Sequence, residues 1–179
     1  MVREENKYIE RYVKRYAYLH EITLDIDSEY FITQIEKKLI QDNLNYLTNV
    51  KGKMTAWRAF KNDSNFQKVC KEGLIHLKER LNFGRVEITN AWGIKIEKGD
   101  STEPHDHRSA LCSGILYLNN NNQTLIFPDL KLNITPKKGT FVVFSPWLTH
   151  LSHINESDEI KYAIPFNIDN APEKHQVRY

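Results

Sequence analysis

The chain has 179 residues, which at roughly 150 residues per domain predicts a single domain over 1–179. A chain of this length buries about 70% of its unfolded surface on folding, so it needs no metal or disulfide to hold it together. The formal net charge is +2, with 25 Lys and Arg against 23 Asp and Glu. This balance argues weakly against a nucleic-acid partner, because nucleic-acid binders usually carry a basic patch.

Apolar runs in the sequence are short. The longest have about five residues, as in 114–118, whereas a membrane helix needs about 20. The first residues lack the apolar core of a secretory signal, so we expect no export. Cys70 and Cys112 form no recognisable framework and would remain thiols in a reducing compartment. The sequence therefore predicts a cytoplasmic protein without a membrane span.

Residues 1–84 show mainly a helical period. Two stretches carry apolar residues at spacings of three and four, and each follows an Asp-Ser pair that suits a helix cap. Gly73 falls within the second stretch and weakens it as a helix. We expect this part to be a helical support with flanking strands. The predicted elements are helices after 27–28 and 63–64, the second running to about Leu81, and strands near 19–26 and 54–57.

From residue 85 onward the period falls to two, and turn residues separate short segments rich in Val, Ile, Phe and Tyr. Four asparagines at 119–122 predict a hairpin that tolerates left-handed backbone, and 136–139 predicts a turn in which a fixed φ precedes a free one. Short strands at this spacing predict a sandwich or barrel. The predicted strands are 86–97, 110–118, 124–132, 140–144 and 160–168.

Three of the seven histidines fall where predicted strands end or bend: His105, His107 and His150. On an extended backbone, residues i and i+2 point to the same side, so His105 and His107 can face a barrel interior while Asp106 faces away. A third ligand from a later strand would complete a facial set with open positions. That arrangement is the one that iron-dependent oxygen chemistry uses.

Other interpretations of this pattern stay open. An isolated His-x-His lies more often in a solvated turn than in a metal site. With the strand inverted, Asp106 alone would point inward and the site would lose most of its ligands. His153 competes with His150 for the third position. We interpret it as an ordinary polar residue, together with His20, His76 and His175.

A series of short motifs surrounds the histidines in a fixed order. They are 99–107 with His105-Asp106-His107, 115–119, 124–127, 136–139, Phe144, His150 and 161–164. This order resembles the 2-oxoglutarate and Fe(II)-dependent oxygenases of the prolyl 4-hydroxylase-like branch, especially members with a His-x-His and a Ser-Gly-x-x-Tyr-Leu strand. The resemblance covers 85–168. It implies an α+β fold with a double-stranded β-helix (jelly-roll, cupin-like) core and supporting N-terminal helices.

The resemblance also implies roles for particular residues. His105, His107 and His150 bind iron, Lys161 pairs with the distal carboxylate of 2-oxoglutarate, and Tyr117 donates its hydroxyl to the same carboxylate. A buried dianion needs such partners, because an isolated buried charge is very costly. The alternatives are that Lys161 is a solvated strand residue and Tyr117 a core aromatic.

The implied activity is that of a dioxygenase using Fe(II), 2-oxoglutarate and O₂. It hydroxylates an unactivated C–H bond and releases succinate and CO₂. The substrate would be a peptide side chain or a small molecule. Trp147 and Arg108 are expected near the mouth of the barrel or in packing, and Trp92 in the core rather than the pocket.

Two positions depart from the family pattern. His107 stands where members usually have Asp, which raises the net charge of the site by one and would weaken Fe(II) binding or change the metal. Lys161 stands where many relatives carry Arg, so the bidentate fork is lost.

A cupin is the alternative, either a metal-dependent dioxygenase without 2-oxoglutarate or a non-catalytic small-molecule-binding protein. The spacing from Gly99 to His107 also fits the opening of the cupin signature. The Glu expected three or four residues later is missing, because Ala110 and Leu111 occupy those positions. A third alternative is an interaction module that has lost its metal.

Overall fold

The computed structural model describes residues 17–42, 48–81 and 84–172, in which the chain forms two α-helices and eleven β-strands. The predictions for the first residues of the chain and for His175 lie outside these ranges. Within them, no helix combines the length and apolar character that crossing a bilayer requires. The cytoplasmic location stays a prediction.

The elements follow one another in the order that the change of period predicts, with both helices before residue 85. They are β1 (Leu19–Thr23), α1 (Ser28–Asp42), β2 (Lys53–Met54), α2 (Ser64–Leu81), β3 (Val86–Ala91), β4 (Ile94–Ile96), β5 (Thr102–His105), β6 (Cys112–Tyr117), β7 (Leu125–Phe127), β8 (Leu132–Ile134), β9 (Thr140–Phe144), β10 (His150–Ser152) and β11 (Lys161–Asn170).

Both helices begin where an aspartate caps them, as predicted. Asp27 Oδ1 accepts the N–H of Tyr30 at 3.0 Å, and Asp63 Oδ1 accepts the N–H of Phe66 at 2.9 Å. The hydroxyl of Tyr30 donates to the other carboxylate oxygen of Asp63 at 2.8 Å. This bond ties the start of α1 to the start of α2.

The strands form two antiparallel sheets. The major sheet has the order β1-β9-β6-β11-β4-β2, with β3 also paired with β11, and the minor sheet has the order β5-β10-β7-β8. Strand β1 lies at one edge of the major sheet, where Leu19 is opposite Phe144 of β9.

Strand β9 shows how the layers pack. Phe141 and Val143 join one apolar cluster with residues of α1 and α2, whereas Val142 and Phe144 join a second cluster with residues of the minor sheet. This alternation follows from the period of two along a strand. The helices therefore cover one face of the major sheet and the minor sheet covers the other. The α+β jelly-roll prediction is confirmed.

Two predicted strands are divided. The segment 86–97 breaks between β3 and β4, where a Cβ on Gly93 would lie 2.5 Å from Ile35 of α1 and the Gly93 N–H donates to Thr55 Oγ1 at 2.9 Å. The segment 124–132 is interrupted by a single 3-10 turn at Pro128–Leu130, followed by Lys131 with φ 51°. The sequence pattern predicts no strand at the positions of β5 and β10.

The glycine of the 136–139 turn behaves as predicted, with φ +80° at Gly139. The predicted hairpin at 119–122 is wrong, because this segment joins β6 of the major sheet to β7 of the minor sheet. The left-handed backbone that asparagine tolerates is not used there, since Lys131 is the one non-glycine residue of the described ranges with positive φ. The asparagines act through their side chains instead. For example, Asn120 Oδ1 accepts the N–H of Lys138 at 2.9 Å.

Candidate metal centre

His105 and His150 come from neighbouring strands of the minor sheet. His105 ends β5 and His150 begins β10, and the antiparallel register places them opposite each other. Their ring centroids lie 4.2 Å apart. Opposite residues of an antiparallel pair share a face of the sheet, and both rings line the cavity between the two sheets.

His107 lies two residues beyond the end of β5. Its N–H donates to the carbonyl of Pro146 at 2.7 Å, in the segment that leads into β10. Its ring centroid lies 5.1 Å from that of His105 and 5.2 Å from that of His150. One ring nitrogen from each histidine lies within 4.8 Å of the other two. The structure thus brings together the three histidines that the sequence singles out.

Asp106 lies outside this group. Its carboxylate forms an ion pair with Arg108, with 2.8 Å between Oδ2 and Nε, and the Arg108 side chain is 75% exposed. The inverted arrangement with Asp106 alone facing inward is therefore wrong. His153 is exposed and lies apart from the three rings, so it does not compete for the third position.

Backbone carbonyls orient two of the imidazoles. His105 Nδ1 lies 2.8 Å from the carbonyl oxygen of Glu103, and His150 Nδ1 lies 3.0 Å from that of Leu148. A carbonyl only accepts, so Nδ1 carries the proton and donates in both cases. The lone pair then resides on Nε2, which is the usual arrangement of a metal-binding histidine.

Burial lowers the pKa of all three imidazoles. Loss of hydration lowers the pKa of His107 to about 4 and that of His150 to about 3, and the nearby imidazole of His105 adds to both shifts. The pKa of His105 is lowered by the same loss of hydration. All three are therefore neutral near pH 7, which is the form that binds a metal ion.

Lys161 begins β11, and its side chain is 2% exposed. Burial lowers the pKa of its ammonium to about 7. Within the described ranges, no residue forms a hydrogen bond or ion pair with this ammonium. The alternative of a solvated strand residue is wrong. A buried cation without a partner is costly, so this position suits an anionic ligand.

Tyr117 ends β6 and is 1% exposed. It lies opposite Ala163, and Ala163 shares a face of β11 with Lys161 because the two are two residues apart. Burial raises the pKa of the Tyr117 hydroxyl well above its usual range. Tyr117 packs in the cluster between the sheets and also lines the same cavity as Lys161.

One cavity contains all five predicted site residues. His105, His107 and His150 line it from the minor-sheet side, and Tyr117 and Lys161 from the major sheet. Its lining includes no aspartate or glutamate. A second cavity, of about 460 Å³, lies between α2 and β3 and contains none of these residues.

Trp92 belongs to both the core and the cavity. It is 3% exposed, lines the cavity, and its ring centroid lies 6.2 Å from that of His107. The prediction that Trp92 lies in the core is therefore confirmed, and the prediction that it lies outside the pocket is wrong. The strand predicted at 54–57 ends at Met54, and Trp57 lies in the turn that follows. The Trp57 ring packs edge-on against Trp92, with 4.7 Å between ring centroids. Arg108 and Trp147 do not line the cavity.

No protein-family model matches the sequence, and no curated protein matches it. Solved structures do resemble the fold. The viral collagen prolyl hydroxylase of Paramecium bursaria Chlorella virus-1, in its 2-oxoglutarate complex, matches with a TM-score of 0.69 and 19% identity. The match covers 86% of this chain and 97% of the viral one.

Two bacterial structures extend this similarity. A prolyl 4-hydroxylase of Pseudomonas putida matches with a TM-score of 0.65 and 13% identity, over 86% of this chain and 93% of the other. HygX of Streptomyces hygroscopicus, with nickel and 2-oxoglutarate bound, matches with a TM-score of 0.63 and 10% identity. This match covers 86% of this chain and 83% of HygX. The chain therefore has the jelly-roll fold of these prolyl hydroxylases and of HygX.

Proposed function

We propose that the chain is an Fe(II)- and 2-oxoglutarate-dependent dioxygenase, an oxidoreductase that hydroxylates an unactivated C–H bond. One observation carries the proposal: three neutral imidazoles and an unpaired buried ammonium face one cavity between the two sheets. The fold supports it, because the structures that it resembles include prolyl hydroxylases and a protein with nickel and 2-oxoglutarate bound.

The three histidines fit a divalent metal ion. His105 and His150 present Nε2, because their Nδ1 atoms donate to backbone carbonyls. A set of three protein ligands leaves open positions on the ion, which iron uses for a cosubstrate and O₂. His105, His107 and His150 would hold the iron.

Lys161 and Tyr117 fit the distal carboxylate of 2-oxoglutarate. The ammonium of Lys161 supplies the charge that the dianion needs, and the hydroxyl of Tyr117, on the same face, supplies a second donor. Among the described residues that line the cavity there is no carboxylate, although the negative charge of Glu21 acts on the Tyr117 hydroxyl from β1. These are the groups that would bind the cosubstrate.

Bound iron and 2-oxoglutarate would supply the oxidation itself, in which O₂ is consumed, succinate and CO₂ are released, and one oxygen atom enters a substrate C–H bond. The chain supplies orientation and a dry cavity. Apolar walls exclude water, Trp92 closes the cavity beside His107, and the carbonyls behind His105 and His150 fix their rings. No side chain needs to act as a general base.

His107 gives this site a distinctive linkage. As a neutral ligand it leaves the anionic oxygens to 2-oxoglutarate, so the metal and the cosubstrate should bind cooperatively. Reciprocity then requires that 2-oxoglutarate tighten Fe(II) by the same factor that Fe(II) tightens 2-oxoglutarate.

Anaerobic titration tests the proposal. Fe(II) and 2-oxoglutarate together should produce the weak visible charge-transfer band of their chelate, and Fe(II) affinity should rise when 2-oxoglutarate is added. Equal and tight Fe(II) affinities with and without it would favour the cupin alternative. Protein purified without chelator that holds no metal and takes up none would favour an interaction module.

The substrate is proposed at the level of class, as a peptide side chain or a small molecule. The structures that resemble this fold include prolyl hydroxylases, and HygX has also been solved with hygromycin B bound. Succinate formation above the substrate-free rate, measured across peptides and small molecules, distinguishes the two classes.

A further inference from the structure

Lys161 occupies the first position of a strand, where a backbone ladder is weakest. On one side it pairs with Ile96 of β4. On the other side, β6 ends at Tyr117, which lies opposite Ala163 and two residues short of Lys161. One more backbone bond, from the N–H of Leu118 to the carbonyl of Tyr162 at 3.0 Å, extends this pairing beyond β6. The pairing then stops short of Lys161, the residue that is proposed to bind the cosubstrate.

The side chain of Asn119 continues this ladder. Its Oδ1 accepts the N–H of Tyr162 at 2.9 Å, and its Nδ2 donates to the carbonyl of Ile160 at 2.7 Å. These two backbone groups flank Lys161. A carboxamide carries the same donor and acceptor as a peptide group, so it substitutes for the missing strand residue.

Two further carboxamides hold the segment just before Lys161. Asn121 Nδ2 and Asn155 Nδ2 donate to the carbonyl of Glu159, at 3.0 Å and 3.1 Å. Both asparagines are buried, with exposures of 3% and 1%. With Asn119 they form what we call the amide clasp, which surrounds 159–162.

We infer that Asn119 is a positioning residue for 2-oxoglutarate, an inference that rests on the proposed function. Its carboxamide fixes the backbone on both sides of Lys161, so the buried ammonium is already placed before the anion arrives. If Lys161 were loosely held, 2-oxoglutarate would bind more weakly, because part of the binding free energy would be spent on ordering the lysine. The asparagine segment 119–122 thus serves the cosubstrate as well as the connection between the two sheets.

The test compares Asn119→Ala with Ser113→Ala. The control removes a buried hydrogen bond, from Ser113 to Asn167 at 2.7 Å, in the same pair of strands but at the other end of β11. The control bond is buried, whereas the two bonds of Asn119 are partly buried and lie just beyond the end of β6. Only Asn119→Ala removes bonds to the backbone beside Lys161, where the pairing with β4 remains.

Dissociation constants for Fe(II) alone and for 2-oxoglutarate with Fe(II) are measured anaerobically. We expect Asn119→Ala to raise the 2-oxoglutarate constant by about fivefold or more relative to Ser113→Ala, since at least one backbone hydrogen bond is lost. Its Fe(II) constant should stay within about twofold of the control, because the clasp does not touch the histidines. A smaller difference in the 2-oxoglutarate constant, or an equal change in the Fe(II) constant, overturns the inference.

Two results separate this inference from the proposed function. If the unmodified protein binds no 2-oxoglutarate, the proposed function fails and the inference with it. If it binds normally and the two variants match, only the inference fails. Asn119→Ser, which keeps a short polar group, replaces Asn119→Ala under the same criterion if the alanine variant does not fold.

Discussion

The two walls of the cavity are built differently. The minor-sheet wall carries its histidines on β5 and β10, strands of four and three residues, with a register shift between His150 and Ser152. His107 lies beyond the end of its strand. The major-sheet wall carries Tyr117 and Lys161 on β6 and β11, strands of six and ten residues.

This difference teaches how each wall sets its chemistry. The minor-sheet wall obtains three neutral imidazoles because short strand ends converge on one point and backbone carbonyls orient two of the rings. The major-sheet wall instead holds a buried lysine at the start of β11, with the amide clasp around it. The histidines are suited to an ion, and the lysine to an anion.

The largest effect should come from removing a histidine of the minor-sheet wall. We expect His150→Ala to weaken Fe(II) binding by about a hundredfold or more. Loss of a residue that only hydrogen-bonds to a metal ligand already lowers metal affinity by roughly tenfold to a hundredfold. Isothermal titration with Fe(II) under anaerobic conditions measures it. His153→Ala, an exposed histidine three residues away, is the matched control and should bind as the unmodified protein does. Equal losses in the two variants would contradict the assignment.

The two walls should also titrate in separate pH ranges in the metal-free protein. His107 and His150 have pKa values of about 4 and about 3 when folded, below the usual 6.5, so the unfolded chain binds more protons below about pH 6.5. The free energy of unfolding should fall as pH drops from about 6.5 to 5, by roughly 2 kcal/mol for one such histidine.

Lys161 should affect the free energy of unfolding at alkaline pH. Its folded pKa of about 7 lies below the usual 10.5, so the free energy of unfolding should rise as pH increases from 7 to 10.5. Urea unfolding at several pH values measures both limbs. We expect His150→Gln to make the acid limb shallower, since His107 still contributes to it, and Lys161→Met to flatten the alkaline limb. If the free energy of unfolding of the unmodified protein did not rise between pH 7 and 10.5, burial would not be lowering the pKa of Lys161.

Lys161→Met should weaken 2-oxoglutarate binding by more than about tenfold, since a charge-assisted contact is lost. Fe(II) affinity without 2-oxoglutarate should be unchanged, as the ligands lie on the other wall. The same variant should be more stable near pH 7 by roughly 1–4 kcal/mol, because an apolar chain replaces an unpaired buried charge. A 2-oxoglutarate constant within about twofold of the unmodified protein would exclude the proposed role.

His107→Asp sharpens the comparison of the two walls, because it places an anion on the minor-sheet wall. We expect bare Fe(II) affinity to rise by roughly tenfold, since the new carboxylate attracts the ion directly. The factor by which 2-oxoglutarate tightens Fe(II) should shrink in this variant. Circular dichroism should report an unchanged fold, and titrations with and without 2-oxoglutarate give the linkage. An unchanged linkage factor would show that the neutral ligand does not cause it.

Tyr117→Phe should have the smallest effect. It keeps the ring that packs between the sheets and removes the hydroxyl, so the 2-oxoglutarate constant should rise by about fivefold with little loss of stability. Binding titrations measure the first and urea unfolding the second. Unchanged binding would return Tyr117 to the role of a core aromatic.

The sequence predicted the major-sheet wall better than the minor-sheet wall. Strands β6, β9 and β11 carry runs rich in apolar and aromatic residues, which predict strands without the structure. Strands β5 and β10 are too short for a period, and β5 contains Pro104. The histidines were found through their chemistry and their spacing of two.

Contacts from distant segments could not be predicted. The break at Gly93 depends on Ile35 of α1, which lies far away along the chain. Asn119 looks like a turn residue in the sequence, because its bonds to the backbone around Lys161 form only when the segment after β6 meets β11. Trp57 likewise gains its place against Trp92 from the packing of a loop.

The pairing of β1 with β9 has a consequence for synthesis on the ribosome. Leu19 is made first, but its partner Phe144 is added more than a hundred residues later. At the usual rates of translation β1 waits roughly ten seconds with an unpaired backbone. During that time Glu21 supplies charge, a feature that discourages pairing with other chains. We expect the newly made chain to depend on that charge more than the finished protein does.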